Sequence, residues 1–172
     1  MLLVGLSGCA HDRAVRETNL QRQSTPLTAS YLLEVGESPV RLVNGQAEVP
    51  AAPGSAAVVR TTVWGEPTMA DLSGDGRDDA ALILIQESAG SGTFYYLAIA
   101  VQDDDDFRGV ASVFLGDRIV PQRIAVGDNR VTVHYLDRER GEAMSTPASH
   151  PRVRKFRYDS VAENLAVVAE NS

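Results

Sequence analysis

Five positions between Asp71 and Asp79 place oxygen at intervals that suit a hard cation. With Asp71 as position 1 of Asp71-Leu-Ser-Gly-Asp-Gly-Arg-Asp-Asp79, Ser73 falls at position 3, Asp75 at 5, the backbone carbonyl of Arg77 at 7 and Asp79 at 9. Calcium takes six to eight oxygen ligands, and a short loop supplies them only by curling around the ion. Gly76, at position 6, permits that curl because it has no Cβ. A helix-loop-helix calcium site would place a bidentate Glu at position 12. Here position 12 is Leu82, inside the apolar run Ala80-Ala-Leu-Ile-Leu-Ile85. The loop therefore leads into a buried strand, and calcium is expected as a structural ion of weak affinity, about 10⁻⁴–10⁻³ M. The alternative is a tight Asp/Gly turn whose side chains bond their own backbone.

The loop resembles the Asp-x-Asn-Gly-Asp-Gly-x-x-Asp loops found between strands in extracellular repeat proteins. A second resemblance lies at the start. Leu6-Ser7-Gly8-Cys9 is similar to the lipobox of bacterial lipoproteins, in which the cysteine is lipidated. Cys9 is the only cysteine, so no intrachain disulfide is available. Only eight residues precede it and none is charged, so the reading sets a basic n-region upstream; an ordinary free cysteine is the alternative. Ala10 after the cysteine implies sorting to the outer membrane, on its periplasmic face. No run of 18 apolar residues occurs, so no helix is expected to span a bilayer.

Other reactive constellations are weaker. His11, His134 and His150 lack metal-ligand spacing. Ser91 sits in Ala-Gly-Ser-Gly-Thr, which misses the G-x-S-x-G nucleophile elbow at its first position. Tyr95 and Tyr96 are candidates to stack on a sugar ring, with alternation sending them to opposite faces. Asp117 and Arg118 are a charged pair in an apolar stretch, read either as a substrate contact or as a tie between two loops. Arg152 and Arg154 share one strand face, and Lys155 and Arg157 the other. Such a strip guards an edge strand against pairing or meets anionic lipid or lipopolysaccharide phosphates.

The elements that hold these residues read as β. The turn signals Asn44-Gly45, Gly90-Ser-Gly92 and Gly127-Asp-Asn129 separate short β-branched runs. Strands are expected over residues 40–43, 46–49, 58–64, 80–86, 93–101, 110–115, 119–126, 130–136, 152–158 and 165–169, with 27–35 ambiguous. Pro121 suggests an edge or a bulge. The expectation is one all-β domain of about nine short strands, an antiparallel sandwich or partly open barrel, over residues 26–172. It would follow a truncated signal peptide, 1–8, and a lipid-anchored tether, 9–25.

Charge is uneven along the 172 residues. The segment from Glu66 to Asp106 holds ten acids and one base, a net −9, so the remainder of a chain of net charge −7 carries +2. An acidic total argues against nucleic acid as a partner.

The segments Asp71-Leu-Ser-Gly-Asp-Gly-Arg-Asp-Asp-Ala-Ala81, Gly90-Ser-Gly-Thr-Phe-Tyr-Tyr-Leu-Ala98 and Val113-Phe-Leu-Gly-Asp-Arg-Ile119 are similar to a family of uncharacterised proteobacterial lipoproteins. Ser73 stands where that family more often has Asn. The resemblance implies an envelope location and a β-fold, and no activity. Together these readings point to a calcium-stabilised binding or assembly module that meets the membrane through its anchor and takes an envelope protein or glycan as partner. A cell-wall or surface-glycan enzyme or inhibitor is the alternative.

Overall fold

The computed structural model describes residues 25–33, 38–88 and 92–168. Cys9, the tether through residue 24, and Ser91 lie outside the described residues. All described structure is β, in antiparallel sheets, one of which curls into a half-barrel. There are eleven strands: β1 (Ser30–Tyr31), β2 (Val40–Arg41), β3 (Gln46–Pro50), β4 (Val58–Ala70), β5 (Asp79–Ser88), β6 (Gly92–Asp103), β7 (Asp106–Asp117), β8 (Val120–Gly127), β9 (Arg130–Asp137), β10 (His150–Asp159) and β11 (Asn164–Val167). Nine of them have four residues or more, as the turn spacing leads one to expect. Strands β4 to β7, at 10 to 13 residues, are longer than the expectation.

Three layers result. A five-stranded sheet runs β3-β4-β5-β6-β7, a four-stranded sheet runs β11-β10-β9-β8, and β1 pairs with β2 alone. The apolar run of β5 is the central strand, and β6 lies beside it. Alternation sends Ala81, Ile83, Leu97 and Ile99 toward the four-stranded sheet, where they meet Val131, Val133, Tyr135, Phe156 and Tyr158. The other face of the same strands carries Ala80, Leu82, Leu84, Tyr96, Ala98 and Ala100. These pack under the N-terminal segment, against Tyr31, Leu33, Val40 and Leu42. A strand apolar at every position is the sequence form of a strand covered on both faces.

The ambiguous segment before residue 35 turns out to be the lid of this second core. Tyr31 donates its hydroxyl to the carbonyl of Pro26 at 2.7 Å, which satisfies a buried phenol. The lid lies so close to β7 that a Cβ on Gly109 would run into the Ser30 carbonyl oxygen and the Tyr31 ring. Gly109 sits at a register shift between β6 and β7, so the bulge and the missing side chain together admit the crossing backbone. The Asn44-Gly45 turn forms, with φ of 52° and 78°. Its hairpin, however, shrinks to a single bridge between Val43 and Gln46. Residues 40–42 leave it to cover the second core, where Leu42 donates to the Ala29 carbonyl at 3.0 Å. Burial of Val40 and Leu42 outweighs the longer ladder that the turn alone would favour.

Burial also sets the alkaline limit of the fold. It raises the phenols of Tyr31, Tyr135 and Tyr158 above their ordinary value of 10.0, that of Tyr158 to about 12. A raised folded-state pKa contributes stability that is complete below the unfolded value and is lost as pH climbs through the folded one. Urea midpoints are therefore expected to hold up to about pH 10 and to fall steeply between about 10 and 12. A flat profile across that window would contradict the buried phenols.

Candidate functional site

The acidic loop connects the end of β4 to the start of β5 and is closed by its own side chains. Asp71 accepts the N–H of Gly74 through Oδ1 at 2.6 Å and that of Gly76 through Oδ2 at 3.0 Å. Gly74 and Gly76 take φ of 82° and 86°, the left-handed region that this curl requires. Asp75 accepts the Arg77 N–H at 2.9 Å and pairs with the Arg77 guanidinium, Nε and Nη2 each at 2.9 Å. The backbone N–H and then the guanidinium of Arg77 hold the Asp75 carboxyl below its usual range. Arg77 also reaches Asp104 of the β6–β7 turn at 3.5 Å.

Asp79 has partners that the loop spacing alone does not show. It is fully buried, with no exposed surface. Its Oδ2 accepts the N–H groups of Leu72 at 3.0 Å and Ser73 at 2.7 Å, and its Oδ1 accepts that of Gln102 at 3.0 Å. One side chain thus ties the entry of the loop to the first residue of β5 and to the far end of β6. Among the described residues no three His, Cys, Asp or Glu side chains converge as a metal group. The Asp79 carboxylate is engaged by three backbone donors.

The remaining oxygens do fit a hard cation in part. Ser73 Oγ is shielded from solvent and lacks a hydrogen bond of good geometry. It lies near enough to Asp75 to add the least of the effects that favour that charged carboxylate. Asp71, Ser73, Asp75 and the Arg77 carbonyl could hold calcium, which would supply the positive charge that the Arg77 guanidinium now brings to Asp75.

The second candidate group forms a corner between the two sheets. Asp117 closes β7, and its Oδ1 accepts the Thr93 N–H at 3.1 Å. Arg118 follows with φ of 53°, donates its N–H to the Thr93 carbonyl at 2.7 Å, and pairs weakly with Asp117 at 3.4 Å. Arg138 caps the corner through the carbonyls of Asp117 at 2.6 Å, Arg118 at 3.3 Å and Thr146 at 3.4 Å. Asp117 and Arg118 therefore tie loops together, the plainer of their two readings. Arg138 was silent in the sequence, where it sits in a long polar loop without a spacing signal.

Tyr95 and Tyr96 divide as alternation predicts. Tyr95 is half-buried against the first core. Tyr96 is only 2% exposed and packs on Phe114 with ring centroids 5.6 Å apart. Tyr96 is thus a core residue and is withdrawn from any sugar platform, because its face of β6 is the one covered by the lid.

The basic strip on β10 divides by position. Strand β10 lies between β9 and β11, but β11 pairs only with Phe156 to Asp159, so among the described residues the stretch with Arg152 and Arg154 keeps an open edge. Arg154 faces inward, donates to the Phe114 carbonyl at 2.8 Å and lies 4.8 Å above the Phe156 ring. Elsewhere a groove of about 730 Å³ opens between residues 28–30 and the Asp103–Asp106 turn, with Arg41 and Arg108 on its wall. Arg108 is engaged there by Glu163, at 2.6 and 3.0 Å.

Set against family models, curated proteins and solved structures, the chain matches none of them.

The Asp79 geometry makes a sharp demand. An Asn there keeps the shape but turns an acceptor into a donor that faces N–H groups. Hydrogen bonds to a charged group contribute about 1.5–3 kcal/mol. Asp79→Asn is expected to lose at least that much in urea unfolding, with or without calcium. A variant as stable as the parent would show that the three N–H bonds carry little.

Proposed function

We propose that the chain is an envelope lipoprotein, anchored through Cys9 to the outer membrane, whose β-domain is a non-enzymatic binding or assembly module. The observation that carries this reading is the employment of the candidate groups. Asp79, Asp117 and Tyr96 are each spent on backbone or packing contacts within the five-stranded sheet and its loops. A group that takes part in catalysis must be free to exchange protons or touch substrate; these are pinned. The Cys9 lipobox and Ala10 support the location. Metabolic acyl labelling of the full precursor tests it: Cys9→Ser is expected to abolish labelling and membrane fractionation, and unchanged fractionation would overturn the anchor.

Calcium belongs to the same proposal as a structural ion. It would bind Asp71, Ser73, Asp75 and the Arg77 carbonyl, in competition with the Arg77 side chain. An ion bound only by the folded state stabilises it by about 2.7 kcal/mol at a hundredfold excess over Kd. Arg77→Ala keeps the carbonyl and removes the competing charge. Thermal melts are therefore expected to rise with calcium, and to do so at lower calcium in Arg77→Ala than in the parent. Melting curves insensitive to calcium in both proteins would leave the loop a self-closed turn.

A further inference from the structure

The four-stranded sheet has an outer face that belongs to neither core. Register places Arg130, Thr132, His134 and Leu136 of β9 on that face, with Arg157, Lys155, Val153 and Pro151 of β10 opposite them. Strand β8 adds Val120, Arg123 and Ala125. None of these residues enters either hydrophobic cluster.

Two features of this face are not explained by folding. Arg130 and Arg157 are direct cross-strand partners, and both are exposed. Like charges in that position repel and destabilise the sheet. Neither they nor Arg123 form an ion pair among the described residues; Arg123 lies 3.3 Å from His134 Nε2, a cross-strand neighbour. Asp159, on this face at the end of β10, accepts the N–H groups of Val161 and Ala162 through Oδ1. The second feature is a gradient. The row at residue 130 is cationic, while the row at residue 136 joins Val120, Leu136 and Pro151, with Val153 one row away. Val120 and Val153 are each 43% exposed.

We propose that this face docks onto an anionic phospholipid surface. Four residues of β9 separate Arg130 from His134 and so from Arg123, about 13 Å at roughly 3.3 Å per residue. That spread exceeds a single phosphate, which would need a converged cradle. It suits an array of headgroups, each of which a planar guanidinium can engage through two N–H bonds. The apolar row can rest in the boundary between headgroups and acyl chains, as amphipathic surfaces do. A planar bilayer touches one face of the molecule. Nucleic acid would also meet the field of an acidic chain, whose net −9 segment lies on the five-stranded sheet and its loops. At physiological salt, charges beyond about 8 Å are screened, so the local face governs the contact. The inference stands on these strands and does not require the Cys9 anchor.

The test uses the full chain carrying Cys9→Ser, so that acylation plays no part. Co-sedimentation compares vesicles of phosphatidylcholine alone with vesicles that also contain phosphatidylglycerol. Binding is expected only to the anionic vesicles and should weaken as salt rises. Each arginine near an anionic surface contributes about 1 kcal/mol, so Arg130→Ser with Arg157→Ser is expected to weaken partitioning roughly thirtyfold. The same double variant should melt no lower than its parent, because a like-charge pair is gone. Arg60→Ser, on the other sheet and paired with Glu48, should bind vesicles as the parent does. Arg123→Ser provides a second, milder variant with the same direction of effect. Equal binding to neutral vesicles, unchanged binding in the double variant, or binding to duplex DNA without binding to vesicles would each overturn the proposal.

Discussion

The rest of the molecule is arranged around one buried carboxylate. Asp79 has no exposed surface and, among the described residues, no cationic partner within hydrogen-bond reach; three backbone N–H groups surround it instead. Burying a charge is costly unless it is fully hydrogen-bonded. The donors come from the loop entry, Leu72 and Ser73, and from Gln102 at the end of β6. For all three to reach one side chain, the loop must fold back onto β5, and β5 must stand in register with β6. Register matters here more than in most sheets. A slip of one residue would exchange the two faces of β5. It would move Leu82 and Leu84 from the lid side to the sandwich side. The carboxylate and the apolar pattern thus specify the same alignment from opposite ends of the strand.

Much of this was legible in the sequence, and the reasons are local. The unbroken run from Ala80 to Ile85 identified a strand covered on both faces. Pro121 suggested an edge or a bulge, and β8 has both: it is an edge strand with a register shift between Pro121 and Arg123. The alternation that separated Arg152 and Arg154 from Lys155 and Arg157 is the alternation observed. What could not be read depends on contacts distant in the chain. Nothing near residue 30 says that this segment crosses Gly109. Nothing near Asp79 says that Gln102 will donate to it, 23 residues away. The spacing of oxygens in the loop suits a cation, but a carboxylate can equally accept a row of N–H groups, as that of Asp79 does. Which one it serves depends on whether it faces the solvent side of the loop or the core, and that is a tertiary property.

The corner at Asp117 and Arg118 shows the same division. The pair was visible as a charged interruption between apolar runs. Its role depends on Arg138, brought in by the β9–β10 loop, and on Thr93, which opens the strand beside it. A non-glycine residue in the left-handed region costs of order 1 kcal/mol or more and persists where its surroundings hold it. Arg118 is held by its N–H bond to Thr93 and by the Arg138 cap on its carbonyl. The strain at this turn is therefore accounted for by the change of sheet between β7 and β8, and no substrate is needed to explain it.

Charge then separates the two sheets by task. Acids gather in the loop at 71–79 and the turn at 103–106, both on the five-stranded sheet, where Asp75 and Asp104 share Arg77. Exposed cations gather on the outer face of the other sheet, where Arg130 opposes Arg157 without an acid to separate them. On the acidic side Asp71, Asp75 and Asp79 accept backbone N–H groups, and Asp75 and Asp104 share Arg77. On the basic face Arg130 and Arg157 form no ion pair among the described residues, and Asp159 on the same face turns its Oδ1 to the N–H groups of Val161 and Ala162. The like-charged pair of Arg130 and Arg157 is thus an electrostatic demand that the described residues leave unmet. An external anionic surface is the kind of partner that would meet it.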